Sequence, residues 1–400
     1  MTTLHDVSTP RFIEESDTEV IIKEARRRQR RRRLVVVLTA LLLIGITLTT
    51  LLIVGASKSP LQATPPAPQT KITNVPAIGA LVVPEHPYAM TVAPYGTLYV
   101  IDVARDQILR LVSNNKFRVV AGTGHRGFTG DGGQAIDARI NVTQQSGVVV
   151  SKSGTIYFAD SSNNRVREIL PDGVIKTVIG GGASPLSRRT LPARETSLKR
   201  MSVSGLTFGP NGDLYVAAGY VYRLNANGSL QWVVGSSKLP HLSTWRGIYS
   251  NPGVQYDFQE SSRIAFDGKG NLYMAGGGAF GLYERTVSGK LRFLGVFRGD
   301  GNAASIAPQS DGNVTISYRF GLFQIHPSGI ITPISGVGER LDAALRVKGF
   351  LPHMFIGGDG VAVAPNGTIY VDTNTGNTFT PVTAILEVKP SDAVKTLWRS

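Results

Sequence analysis

Six times in this chain a glycine leads a short apolar strand at nearly the same point of a repeating pattern. The copies are GTLYV from Gly96, GTIYF from Gly154, GDLYV from Gly212, GNLYM from Gly270, GNVTI from Gly312 and GTIYV from Gly367. They start 58, 58, 58, 42 and 55 residues apart. A period of this length belongs to supersecondary units that bury their apolar faces only by stacking on one another. The chain is therefore built from repeats, and its architecture is fixed more tightly than its function.

Each repeat has room for four strands. In the second copy they read GVVV at 147–150, IYFA at 156–159, VREI at 166–169 and IKTV at 175–178, with turns at Ser151–Gly154 and Pro171–Gly173. β-Branched and aromatic residues in alternation, with Gly or Asn at the tight turns, are strand and hairpin signals. Six such units predict an all-β, six-bladed β-propeller of four-stranded antiparallel blades rather than a solenoid. Tyr99, Tyr157, Tyr215, Tyr273 and Tyr370 follow the repeat glycine, with Thr315 in the remaining copy. An aromatic at constant depth in a second strand is expected to pack between blades, and the glycine before it to take positive φ.

The segment VAGTGHRGFTGDGGQAIDARIN at 120–141, followed by GVVVSKSGTIYFADSSNNRVREILPDGVIKTVIGGG at 147–182, resembles the NHL-repeat family. There a Gly-rich linker leads into G-N-L-Y-I-A-D, N-N-R-V-R and a D-G turn. The likeness is close over repeat two, good over repeats one, three and six, and weak over four and five. The aspartate that ends the second strand is present as Asp102, Asp160 and Asp372 and replaced by Ala217, Ala275 and Ser317. The resemblance implies the propeller fold. It also implies two possible activities, because family relatives include a zinc-dependent amidating lyase, and similar six-bladed lactonases use a divalent metal in the channel.

Strand alternation sorts the connections onto two faces. Tight turns share one face, while second-to-third-strand loops and blade-to-blade connections share the other, including the insertions 121–146, 179–204, 235–262 and 335–359. Insertions gathered on one face of a repeat protein mark its expected binding surface. The candidate ligand-binding residues there are His86, Asp102, Arg126, Asp131, Asp160, Asn163, Asn164, Arg165, Trp245, Arg319, His353 and Asp372. For Asp131, and for Asp160 with Asn163, Asn164 and Arg165, the structural role of bracing a loop outweighs the ligand role. His86 and His353 precede blades that become neighbours when the ring closes, but their spacing forms no local metal motif. No catalytic residue, metal site or cofactor is assigned, and a divalent metal in the channel belongs to the alternative only.

Residues 1–33 end in RRRQRRRR, and residues 34–54 hold no charge and no proline. As a helix rising about 1.5 Å per residue the run spans roughly 30 Å, the thickness of the hydrocarbon core. A single N-terminal transmembrane helix is expected at 34–54, left uncleaved as a signal anchor. A basic cytoplasmic tail (1–33) would precede it, with a Pro-rich linker (55–75) and the propeller (76–400) outside the membrane. The chain has no cysteine, so the exported domain must be held by its core alone. Of the net charge of +14, the tail contributes nine basic and six acidic residues and the remainder +11. The expected partners are the membrane, through that helix, and an extracytoplasmic protein or anionic envelope polymer. Arginines beside a span serve topology, which argues against nucleic acid. The leading function is a membrane-tethered recognition module binding a protein, peptide or envelope glycan on the loop-rich face. The family resemblance also makes it similar to propeller sensor domains of bacterial receptor kinases, without the kinase. The alternative is a divalent-metal-dependent lyase or lactonase-type hydrolase at the channel.

Overall fold

The computed structural model describes residues 79–113, 116–199, 203–234, 263–276, 281–296, 305–309, 311–318, 321–328, 330–335, 360–374, 383–389 and 394–399. All belong to one compact unit, Thr70–Ser400. The predicted tail, span and linker all lie outside the described residues, as do Trp245, Arg319 and His353. Among the described residues no helix is long and apolar enough to cross a membrane.

The fold is an all-β propeller. Six antiparallel sheets follow in chain order over 87–121, 148–180, 205–234, 263–296, 305–335 and 361–399, each with four consecutive strands hydrogen-bonded in sequence order. All six repeat glycines take φ between +81° and +89° in the turn before the second strand. In that left-handed region a residue with a Cβ is strained, which explains the recurrence of glycine. Every sheet also carries a bulge at one place, where the third strand meets the fourth: before Leu109, Arg167, Tyr222, Tyr283, Phe323 and Leu386. A bulge raises the local twist. The six matched residues define one equivalent register position around the molecule.

The core lies between sheets rather than within them. Six apolar clusters each join two adjacent sheets, and the last joins Ala362, Ile385 and Leu397 of sheet six to Met90, Leu98 and Val100 of sheet one. The first strands pack on one another in the same order, with Val361–Val363 against Pro87–Val92. Each fully buried Ile, Leu or Phe stabilises this packing by about 1.5–3 kcal/mol relative to exposure. The repeat tyrosines serve these seams. The ring of Tyr157 meets Phe208 of the next sheet edge-on at 5.7 Å, and that of Tyr215 meets Phe266 at 4.7 Å.

Residues 72–83 left two paths open by sequence, a strand added to blade six or a plain lead-in. The described part follows neither. Leu81–Val82 pairs antiparallel with Lys116–Ala121, the outermost strand of sheet one. The lead-in loops of the next two sheets make comparable contacts. Gly132 donates to the Ile175 carbonyl and Ile175 to that of Gly133 on the outer edge of sheet two. Leu191–Pro192 pairs with Ser229–Val234 at the edge of sheet three.

Candidate functional site

Sheet two and the loop leading into it are organised around Arg167. Its guanidinium is fully buried, at 0% side-chain exposure, in the register position that the other sheets fill with Leu109, Tyr222, Tyr283, Phe323 and Leu386. A charge in that setting requires partners with fixed geometry. Nε and Nη2 donate to Asp131 Oδ1 at 3.1 and 2.7 Å, Nη2 donates to the Thr129 carbonyl at 2.9 Å, and Nη1 to the Arg139 carbonyl at 3.3 Å. Asp160 Oδ2 stands 3.6 Å from Nη1. Glycines make the loop's path possible. At Gly130, with φ +89°, an added Cβ would lie 2.7 Å from that of Ala138.

Both carboxylates answer to this arrangement. Burial pushes the Asp131 carboxyl up, but hydrogen bonds from Thr177 and Arg167, with the guanidinium charge, more than offset it and hold it below its ordinary value. Asp160 is raised by its deeper burial, which its hydrogen bonds to Asn163 and the Asn141 amide and the Arg167 and Arg165 charges offset only in part.

The other sequence candidates on described residues fall into two groups. Asp102 accepts the amides of Glu85, His86 and Ala104 at 2.8, 3.0 and 3.2 Å. Asp160 accepts the Asn141 amide and Asn163 Nδ2, and Asp372 accepts the Gly360 amide at 2.7 Å. Each thus braces the segment entering the first strand of its own sheet. Asn163 also donates to the Gly127 carbonyl, and Asn164 supplies a left-handed residue at φ +54°. His86 is exposed and joins the network through its backbone amide. Arg126, exposed, pairs at 3.0 Å with the buried Asp106, which also accepts the Val142 amide. Sequence reasoning missed both Arg167 and Asp106. Comparing the six third strands position by position would have exposed Arg167, the one charged residue in an otherwise apolar column.

What stays open is a cleft of about 330 Å³ on the outer side of this network, lined by Phe128, Thr129, Asp131, Arg165, Gly180, Gly181 and Arg194 among others. The guanidinium of Arg165 lies over the Phe128 ring at 3.9 Å from its centroid and that of Arg167 at 5.1 Å, with Phe128 40% exposed. A further guanidinium–aromatic pair, Arg188 over Trp232 at 5.1 Å, belongs to the next lead-in loop. Among the described residues no group of three or more His, Asp and Glu is placed to hold a metal. At the loop-rich end of sheet four, Arg263 reaches the carbonyls of Gln144, Gln145 and Ser204, tying the starts of three sheets together.

Residues 66–204 match the Teneurin NHL domain family. Teneurin-m of Drosophila melanogaster is 27% identical over 209 residues, which is 47% of this chain and 7% of that protein. The chain thus spans a small fraction of that relative's length. Among solved structures, virginiamycin B lyase from Staphylococcus aureus is similar with a TM-score of 0.45 at 13% identity, over 78% of this chain and 83% of that one. The PQQ-bound aldose sugar dehydrogenase from Streptomyces coelicolor gives 0.45 at 16%, over 78% and 96%.

Proposed function

We infer that this chain, a member of the NHL-repeat propeller family by the match over residues 66–204, is a membrane-tethered recognition module. Its six sheets act as six blades of a closed ring, held outside the membrane by the apolar run at 34–54 and spaced from it by the Pro-rich linker. It binds an extracytoplasmic protein, peptide or envelope glycan through the loop-rich face. The observation that carries this reading is the division of labour among the polar residues there. The second-strand carboxylates are committed to backbone amides and to Arg167, while the exposed Phe128 and Arg188 of two successive lead-in loops pair with Arg165 and Trp232 of the sheets that follow them. Open Arg and aromatic side chains are what anchor binding interfaces.

The channel-metal alternative gains less. Arg263 sets a guanidinium among the carbonyls of Gln144, Gln145 and Ser204 at the starts of three sheets, and that positive charge would repel a divalent cation placed beside it. The test uses the full chain in detergent against solubilised cell envelope, beside a variant with Arg126, Arg188 and Arg194 changed to Ser. Capture of defined components by the parent and their loss from the variant are expected. Stoichiometric metal retained through purification, with chelator-sensitive turnover of a lactone, would replace the recognition reading with the enzymatic one.

A further inference from the structure

We propose that the cleft on sheet two is a subsite for a sugar residue bearing a single carboxylate, of the uronic-acid type. The proposal deepens the recognition reading and rests on it. Three features of the cleft converge on that chemistry.

The first is charge. Among the residues lining the cleft, Arg165 and Arg194 bring two positive charges and Asp131 one negative, a net of one positive charge. Arg194 is exposed and has no ion-pair partner among the described residues; it stands between this cleft and an adjoining groove, which Glu195 also lines. One net positive charge beside a carboxylate already committed to Arg167 and Thr177 suits a monoanion. A dianionic phosphate would exceed that net charge by one and face the Asp131 carboxylate as well.

The second is a partner for a hydroxyl. An ionised carboxylate has about four acceptor sites. Asp131 spends these on Arg167 Nε and Nη2, the Thr177 amide at 3.1 Å and the Thr177 hydroxyl, with its side chain 31% exposed. The polar group left for a sugar hydroxyl is therefore the Thr129 hydroxyl at the rim, which accepts the Arg139 amide at 3.0 Å and keeps its proton to donate.

The third is shape. The Phe128 ring, 40% exposed although the Arg165 guanidinium lies over it at 3.9 Å and that of Arg167 at 5.1 Å, offers an apolar edge for the C–H groups of a pyranose, and Arg165, whose Nη1 donates to the Asn163 carbonyl, keeps the rest of its fork for the carboxylate. Gly181 keeps the fork in place, since a Cβ there would come within 3.2 Å of Arg165 Nε and Nη2. At about 330 Å³ the cleft sits at the small end of the roughly 300–1,000 Å³ typical of ligand pockets, a size for one or two sugar units.

The experiment titrates the full chain in detergent with a defined uronic-acid oligosaccharide, its neutral counterpart of equal length, and inorganic phosphate. The acidic oligosaccharide is expected to bind at least tenfold more tightly than the neutral one and to weaken with salt. Arg194→Ser should weaken it at least about tenfold, the size of one charged hydrogen bond, with the melting transition unchanged, and Phe128→Ala about five- to tenfold, the size of one aromatic contact. Arg165→Lys, which keeps the charge but loses the fork, should also bind more weakly. Equal binding of acidic and neutral oligosaccharides, phosphate competing as well as the uronic acid, or unaltered binding by the variants would each overturn the proposal. Absence of acidic-oligosaccharide binding would overturn it too. If capture from the envelope nevertheless persisted and was lost in the Arg126, Arg188 and Arg194 variant, the recognition reading would stand alone.

Discussion

Replacing Arg167 by leucine tests whether the loop before sheet two is held by one buried charge. Leucine is the residue at the equivalent register position of sheet one, Leu109, so the side chain itself can be accommodated. The substitution instead strands two carboxylates, Asp131 and Asp160, and frees the carbonyls of Thr129 and Arg139. Removing one partner of a buried pair costs about 3–5 kcal/mol. Because Asp131 is 31% exposed and can be rehydrated, the lower end of that range applies, about 3 kcal/mol. That is a large share of the roughly 5–15 kcal/mol of a typical domain. Combining Arg167→Leu with Asp131→Asn and Asp160→Asn removes the stranded charges and should recover more than half of the loss. Urea unfolding of the full chain in detergent measures both, and hydrogen exchange at residues 122–140 shows whether the loop loosens first. A leucine variant within about 1 kcal/mol of the parent, or a triple variant no more stable than the single one, would refute the argument.

Three further outcomes follow from the same geometry. Gly132→Ala, at φ +89° with nothing within 4 Å of the added Cβ, should cost only the left-handed penalty of about 1–2 kcal/mol, whereas Gly130→Ala adds a clash with Ala138 and should cost at least about 1 kcal/mol more, read as the difference between the two unfolding midpoints. Asp102→Ala leaves three amides without their acceptor and should cost about 1–3 kcal/mol, with exchange protection lost at Glu85 and His86 while sheet two is unchanged. The lowered Asp131 carboxyl contributes stability that is full above the unfolded value of about 3.9 and lost as pH falls through the folded one, so Asp131→Asn should flatten the acid limb of a stability–pH profile below about pH 4. Asp160, raised by burial, has the opposite sign, favouring the fold at low pH and losing that contribution as pH rises through its folded value, so Asp160→Asn should not flatten the acid limb in the same way.

The repeated strands were legible because their signals are local: positive-φ glycines, β-branched runs and an aromatic at fixed depth each leave a mark in residue type. The bracing role of Asp160 and Asn163 was legible for the same reason, since the polar side chains lie three residues apart. Arg167 was not, because its partners stand 28 to 38 residues away in a loop, and only the fold makes it a buried charge. The lead-in loops hid a second regularity. Ala135–Asp137 and Ala193–Glu195 are 3₁₀ turns placed 58 residues apart, followed by the buried Ile140 and Leu198 at the same spacing. Their polar residues differ, and backbone hydrogen bonds such as Gly122 to Ala135 and Gly182 to Thr196 shape them. Such bonds leave little pattern in side-chain identity.

That regularity narrows where recognition can reside. An outermost strand presents unpaired amides and carbonyls, which invite pairing with other chains unless covered. In the first three sheets the preceding segment does the covering, through Leu81–Val82, residues 132–134 and Leu191–Pro192. Much of the inserted sequence is thus spent on protecting edges and cannot also be free for a ligand. The 58-residue spacing of the early repeats follows from this need as much as from binding. What remains of the two described insertions is a small set of outward side chains, chiefly Phe128, Arg188 and Arg194, with Arg165 rising beside them from the third strand of sheet two. Substitutions in that set should change binding without moving stability, and substitutions at Asp102, Gly130 or Arg167 should do the reverse.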